Sequence, residues 1–340
     1  MALEAVHLTS KAKKINLKNF NIQFPFYFPQ NLLREPASAK RYGSVSFDRL
    51  SKNGVSLGKT KINFLNHNNA LMMGSLHAPS FFGGELKIQN VKLQAFPSDA
   101  REVTLTANAK DIAYEQLSQF FSFPSWPGKM HLDIHSVIVT PNLLKLIGSI
   151  ELLAWQGRIY LQDIEIEEPF ALVPTLKVKS IDMNHIHLGE LTNTFGFGII
   201  DGGLEAHIEN FAMIEGRPIS FKIRAQSIPM KGSSQVISVD AIKNISKLGG
   251  DESSFVNDQL IYSFIKEFGY SHFGFEANLE GDTLQISPLY SKGDTHYLIQ
   301  GSSFPPSVDI IYKNDLQTKI PLPELWERLK NIDWKKTVVK

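Results

Sequence analysis

Apolar and polar residues alternate along much of the chain. In Leu132-Asp133-Ile134-His135-Ser136-Val137 they take turns, so a strand here would carry one apolar and one polar face. The same phrase, apolar-x-apolar-x-Asn/Asp/Ser-apolar, occurs five times, at residues 15–20, 86–91, 132–137, 159–164 and 206–211. In each, an Asn, Asp or Ser breaks strict alternation, which suits a β-bulge or bend after which the pattern changes face. A glycine leads the strands that begin at Gly84, Gly128, Gly157 and Gly202. That suits positions where no side chain fits or where φ is positive.

These phrases belong to a larger repeat. Residues 111–137 return without a gap as 185–211 at a constant offset of 74, so that Ile112, Leu117, Phe121, Phe123, Gly128 and Ile134 recur as Ile186, Leu191, Phe195, Phe197, Gly202 and Ile208. Upstream, Gly84 and Gly157 stand 73 apart. A fixed period marks one structural unit used twice. The expected fold is mostly β: a long, twisted, curled antiparallel sheet, a repeating β-groove or β-taco, with a few short helices, mainly C-terminal. Residues 1–80 supply N-terminal strands, 83–139 the first repeat, 157–214 the second, and 216–340 a capping region with helices. All of it is expected to form one continuous elongated domain.

Finer elements follow from turn and cap signals. Residues 14–28 read as a strand pair interrupted by Pro25, the apolar stretch 24–29 as an edge or crossing segment, and 31–41 as a loop. Short strands follow at 42–50, 54–65 and 70–76. Asp111 is expected to N-cap a helix carrying Ile112, Leu117, Phe120 and Phe121. Residues 140–146 read as a helical turn or a linker. Beyond the repeats come strands at 218–227 and 235–239, then a helix over 240–248, capped by Asp240 and closed by Gly249 and Gly250. Residues 254–268 give the clearest helical stripe, Ile261, Phe264, Ile265 and Phe268, expected as a lid on the sheet. Strands at 273–279, 283–287, 296–301 and 307–312 close the chain, before an amphipathic helix through Leu322, Leu325, Leu329 and Ile332.

Composition narrows the chemistry. In 340 residues, 35 Lys and Arg balance 34 Asp and Glu. No basic stripe is interleaved with aromatics, so nucleic acid is not an expected partner. With no cysteine, disulfides, thiolate metal sites and Cys nucleophiles are excluded. No run reaches the roughly 18 apolar residues of a membrane span, and the N-terminus has no apolar signal segment. Because residues 15–20 already read as a repeat strand, the natural chain is expected to begin further upstream. Trp334-Lys335-Lys336, with Lys340 beyond, fits either a membrane surface or the dipole of a helix C-terminus.

His131, Asp133 and His135 share a strand face, as metal ligands could. Their counterparts in the second repeat are Glu205, His207 and Glu209, so the column stays polar while its residue types change, which describes a solvated face. His185 and His187 form a similar pair without a third ligand. The Gly-rich residues 198–203 correspond to a Pro-rich turn in the first copy and read as a turn, not a phosphate cradle. No G-x-S-x-G elbow occurs. Neither an enzyme nor a cofactor is expected. The positive signal is the repeated apolar face at Leu86, Ile88, Leu132, Ile134, Ile159, Leu161, Ala206 and Ile208. In a closed sandwich these residues would be core. In an open array they would line a trough for acyl chains.

One stretch resembles a known family. The ordered phrases Leu188, Leu191, Phe195-Gly196-Phe197, Gly202, then Gly216-x-Pro218-x-x-Phe221, then Ile237-Ser238-Val239-x-Ala241-Ile242-x-Asn244-Ile245 are similar to the C-terminal region of the AsmA-like family, the TamB-like and YdbH-like bacterial envelope proteins. Phe268-Gly269-Tyr270, Phe273-Gly274-Phe275, Leu279-Glu280-Gly281-Asp282 and the closing residues 323–332 extend the likeness, which covers about 157–332. The resemblance implies a periplasmic or envelope protein anchored to the inner membrane in its full-length form. It implies a curled sheet whose apolar concave face holds phospholipid acyl chains and passes lipid between inner and outer membranes, with proteins of either membrane as partners. The other reading of the same sheet is an envelope scaffold or protein-interaction module with a closed core and no lipid.

Overall fold

The fold is built from strands that tolerate an extra residue without losing their apolar face. A computed structural model of the chain describes residues 2–10, 14–23, 41–53, 55–67, 70–94, 100–121, 125–249, 265–303, 305–312 and 319–330. Among the described residues it is mostly β, an antiparallel sheet of 23 strands not closed into a barrel, with four short helices. The chain separates into two compact units, residues 1–152 with 161–177, and residues 153–160 with 178–340.

The strands of the N-terminal half are β1 (Ala2–Ser10), β2 (Ile15–Gln23), β3 (Arg41–Phe47), β4 (Arg49–Lys52), β5 (Val55–Leu57), β6 (Thr60–His67), β7 (Ala70–Met73), β8 (Leu76–Phe81), β9 (Gly84–Gln94) and β10 (Glu102–Ala113). Helix α1 (Tyr114–Phe121) and strands β11 (Lys129–Val139), β12 (Leu143–Ala154), β13 (Gly157–Glu167) and β14 (Thr175–His187) follow. Then come α2 (Leu188–Thr194), β15 (Gly203–Ile214), β16 (Arg217–Ile228), β17 (Val236–Ser238), α3 (Val239–Gly249), β18 (Glu267–Glu280) and β19 (Thr283–Pro288). The chain closes with β20 (Tyr290–Lys292), β21 (Thr295–Gly301), β22 (Ile310–Ile311), β23 (Lys319–Pro321) and α4 (Leu322–Lys330).

The bulges stand where the sequence places them, with one change of meaning. Asn19, Asn90, Asp163 and Asn210 all have φ between 49° and 56°, a left-handed conformation that Asn and Asp tolerate best after Gly. At Asn90, two residues of β9 face one of β10, between the pairs Thr104↔Lys92 and Thr106↔Gln89. The extra residue shifts the parity of the sequence but restores the facing of the chain: Leu86, Ile88, Val91 and Leu93 share one face. The change of face expected from the sequence is thus cancelled by the bulge itself. Ser136 sits at a register shift of β11 without positive φ.

Side chains across the ladder satisfy the bulged amides. Ala5 N–H donates to Asn21 Oδ1 at 2.7 Å, Asn19 N–H to His7 Nδ1 at 3.3 Å and Asp111 N–H to His131 Nδ1 at 3.4 Å. The leading glycines answer to the same bulges. A Cβ on Gly84 would lie 2.2 Å from the Lys110 carbonyl oxygen, and one on Gly157 2.6 Å from those of Asn184 and His185. Close backbone approach, not positive φ, requires glycine at these two places.

Several expectations are corrected. Asp111 does not cap α1; it is a bulge residue inside β10, at φ 55°. Asp240 lies in the first turn of α3, and the Ser238 hydroxyl oxygen accepts from Ala241 N–H at 3.2 Å instead. Residues 143–146 open a twelve-residue strand. A strand at Ala2–Ser10, unforeseen from the sequence, pairs with β2. Of the helix expected over 254–268, residues 254–264 lie outside the described residues, and Phe268 belongs to β18. Residues 24–29, 31–40 and 331–340, with Ile332 and Trp334-Lys335-Lys336, also lie outside them.

Candidate functional site

In the first unit the register assembles two apolar rows. Leu76, Ile88, Ala107 and Ile134 stand side by side on β8, β9, β10 and β11, and Ala78, Leu86, Ala109 and Leu132 form the neighbouring row. Val103 and Leu105 continue the same face of β10. The opposite face carries Lys87, Gln89, Thr104, Thr106, Asn108, Asp133 and His135. Leu86 and Leu132 pack into a cluster with Val55, Phe82, Ala109, Ile112, Leu117 and Phe120, so α1 closes this end of the face. Ile88 is half-buried and Ile134 is 2% exposed.

The second unit repeats the arrangement on β15, β16, β18 and β19. Ala206, Ala225, Phe275 and Pro288 form one row, and Ile208, Ile223, Ala277 and Ile286 the next. A third row, Phe221, Leu279, Leu284 and Ile320, is packed with Leu322 and Leu325 of α4. Beside it an open cleft of about 350 Å³ is lined by Ile214, Pro218, Ile219, Leu322, Pro323 and Trp326, with Glu215, Arg217 and Asp282 at its rim. Ile159 is buried and Leu161 half-buried, on the part of β13 where the division between the units falls.

The polar face is a ladder of paired charges. His207 Nδ1 lies 2.5 Å from Asp182 and its Nε2 3.3 Å from Glu209, and Arg224 pairs with Glu276. The hydrogen bond to Asp182 raises the His207 pKa above 6.5, burial opposes it and Glu209 adds to it. In the first unit His135 and Asp133 are exposed and 3.7 Å apart, while His131 caps the Asp111 bulge. His185 has the left-handed backbone of Asp111, at φ 54°. His187 accepts from Glu190 N–H and stands 3.5 Å from Asp201. Among the described residues no three His, Asp or Glu side chains form a metal-binding group.

In the Gly-rich turn at 198–203 the three central amides are committed. Ile199 N–H donates to Ser238 Oγ, Ile200 N–H to Thr192 Oγ1 and Asp201 N–H to the Val236 carbonyl. Tyr270, to which the sequence pattern assigns no role, donates its hydroxyl to the Asp201 carbonyl at 2.6 Å. Burial, with Asp201 adding to it, raises the Tyr270 pKa. Its only local signal is an aromatic beside Gly269; the partner lies 69 residues away.

No family model, curated protein or solved structure matches the chain.

Proposed function

We propose that this chain is a lipid-binding groove protein of the bacterial envelope, a passive conduit for phospholipid between inner and outer membranes. The observation that carries the reading is the continuity of apolar rows across neighbouring strands, with charges confined to the opposite face. Each acyl CH₂ laid against such a row contributes about 0.8 kcal/mol, so affinity spreads along the sheet and head groups stay in water. Such passage requires no catalytic residue, metal or cofactor. The AsmA-like resemblance supports the same reading and supplies the compartment, the inner-membrane anchor of the full-length protein and the membrane proteins at either end. The second reading, a scaffold or interaction module without lipid, is favoured by the packing of Leu86 and Leu132 beneath α1.

Photo-crosslinkers at Ile88 and at Lys87, neighbours on opposite faces of β9, separate the two. Phospholipid should be captured from position 88 and not from 87, and solvent extraction of the purified protein should release it. Equal labelling at both positions, or lipid-free protein, would leave the scaffold reading. Ile88→Asp should block lipid loading in folded protein, because its charge would be desolvated beside hydrocarbon. Ile134 is unsuited to that test, since a charge at a position 2% exposed would unfold the chain.

A further inference from the structure

The tip of the β13–β14 hairpin has no role in the core. It reads Glu168-Pro169-Phe170-Ala171-Leu172-Val173-Pro174, and Phe170 is 73% exposed, Leu172 102% and Val173 44%. Its shape is set by the backbone, not by apolar packing. Glu168, at φ 50°, donates its N–H to the Asn142 carbonyl at 2.8 Å, and its own carbonyl accepts from Ala171 N–H at 2.9 Å. Three large apolar side chains held outward on an ordered tip leave their hydration unrelieved by the fold.

We propose that this tip is a wedge that inserts into the surface of a zwitterionic lipid bilayer. Convexity selects the medium: a protruding Phe-Leu-Val tip needs surroundings that deform around it, and the headgroup–acyl boundary does so to a depth of roughly 5–10 Å. Charge selects the lipid. No Lys, Arg or His occurs between Ile159 and Leu176. Of the nearby cations on the adjoining strands, Lys145 and Lys177 are engaged by Glu165 at 3.3 Å and Glu167 at 2.5 Å, and the exposed Lys179 of β14 has a partner as well. With Glu168 added, the collar beneath the tip offers anionic headgroups no attraction. The inference stands apart from the acyl-chain groove, which concerns lipid held singly on the sheet rather than a bilayer.

Because the chain has no cysteine, Leu172→Cys and Lys59→Cys each give a unique labelling site; Lys59 is exposed in the polar β5–β6 turn of the same unit. An environment-sensitive dye at 172 should shift to the blue on phosphatidylcholine vesicles and be quenched by brominated lipid, and the dye at 59 should do neither. Phe170→Ser with Leu172→Ser should weaken vesicle partitioning by about tenfold or more, at unchanged melting temperature and unchanged co-purified lipid. Adding phosphatidylglycerol should not tighten binding. The proposal is overturned if the dye at 172 stays in water, if both sites respond alike, if the double variant binds as well, or if anionic lipid strengthens binding. It is likewise overturned if the tip drives self-association without vesicle binding, since a second copy of the chain is then its occupant.

Discussion

The two copies of the repeat are alike in backbone and different in what fastens them. Asp111 and His185 share a left-handed backbone, at φ 55° and 54°, and the following isoleucines, Ile112 and Ile186, are both fully buried. The amides that open the two helices find equivalent partners: Ala113 to Phe82 and Tyr114 to Gly128 in one copy, His187 to Trp155 and Leu188 to Gly202 in the other. Around this shared frame the contacts diverge. The first copy uses an exposed Asp111–Lys129 pair and a Tyr114–Trp126 stack at 4.2 Å. The second is stitched to the chain downstream of it, through Ser238, Asn244 and Tyr270. The leading glycines and the buried isoleucines are kept in both copies, while the polar and aromatic side chains that fasten the frame are replaced.

The largest expected effects test the shared frame. Gly84→Ala and Gly157→Ala each drive a Cβ into a neighbouring carbonyl, at 2.2 and 2.6 Å, and backbone cannot yield as a side chain can. Each should cost about 3 kcal/mol, the upper end of overpacking, in denaturant unfolding. Gly216→Ala, with φ 75° and open space around it, should cost only about 1 kcal/mol. If Gly157 tolerates alanine while Gly84 does not, the likeness between the copies is one of sequence alone.

Those glycines also show what the sequence can reveal. The repeat, the Gly-led strands and the Asx bulges are legible because each is a local demand on backbone conformation. Asp111 is ambiguous because Asp before an apolar run looks the same at a helix N-cap and at a bulge; the difference is that β10 runs on to Ala113 along its partners. Leu143-Leu144-Lys145-Leu146 has helix-like spacing, yet it lies in β12, where Gly148 comes so close to β11 that a Cβ would meet the Asp133 oxygen at 2.2 Å. That approach joins residues 15 apart and no local window contains it. Of the eight candidate groove residues, the register links Leu86 to Leu132 through Ala109 and Ile88 to Ile134 through Ala107. Their shared facing can be read from alternation, but the cover that α1 places over one row cannot.

A middle-sized effect should separate the copies. Tyr270→Phe leaves the Asp201 carbonyl without its donor and should cost about 1–2 kcal/mol. Amide exchange should quicken at residues 199–201 and stay unchanged at Ala113 and Tyr114, whose partners in the first copy do not involve β18. Equal loss of protection in both places would mean that the copies open as one cooperative piece, and the contrast in fastening would have no energetic content.

The smallest effect lies on the polar face, where Asp133 of the first copy corresponds to His207 of the second. His207 is held between Asp182 and Glu209, and its pKa is raised above 6.5, first by the hydrogen bond with Asp182. A raised folded pKa means that the native state prefers the protonated imidazole. The resulting stabilisation is complete below the unfolded value and is lost as pH climbs from 6.5 through the folded pKa. The side chain is nearly half exposed, so solvent screening keeps the contribution small. The direct measurement is an NMR titration of the His207 ring at low salt. Asp182→Asn should return its midpoint toward 6.5, and Glu209→Gln should lower it by less. A wild-type midpoint below 6.5 would show that burial outweighs both carboxylates.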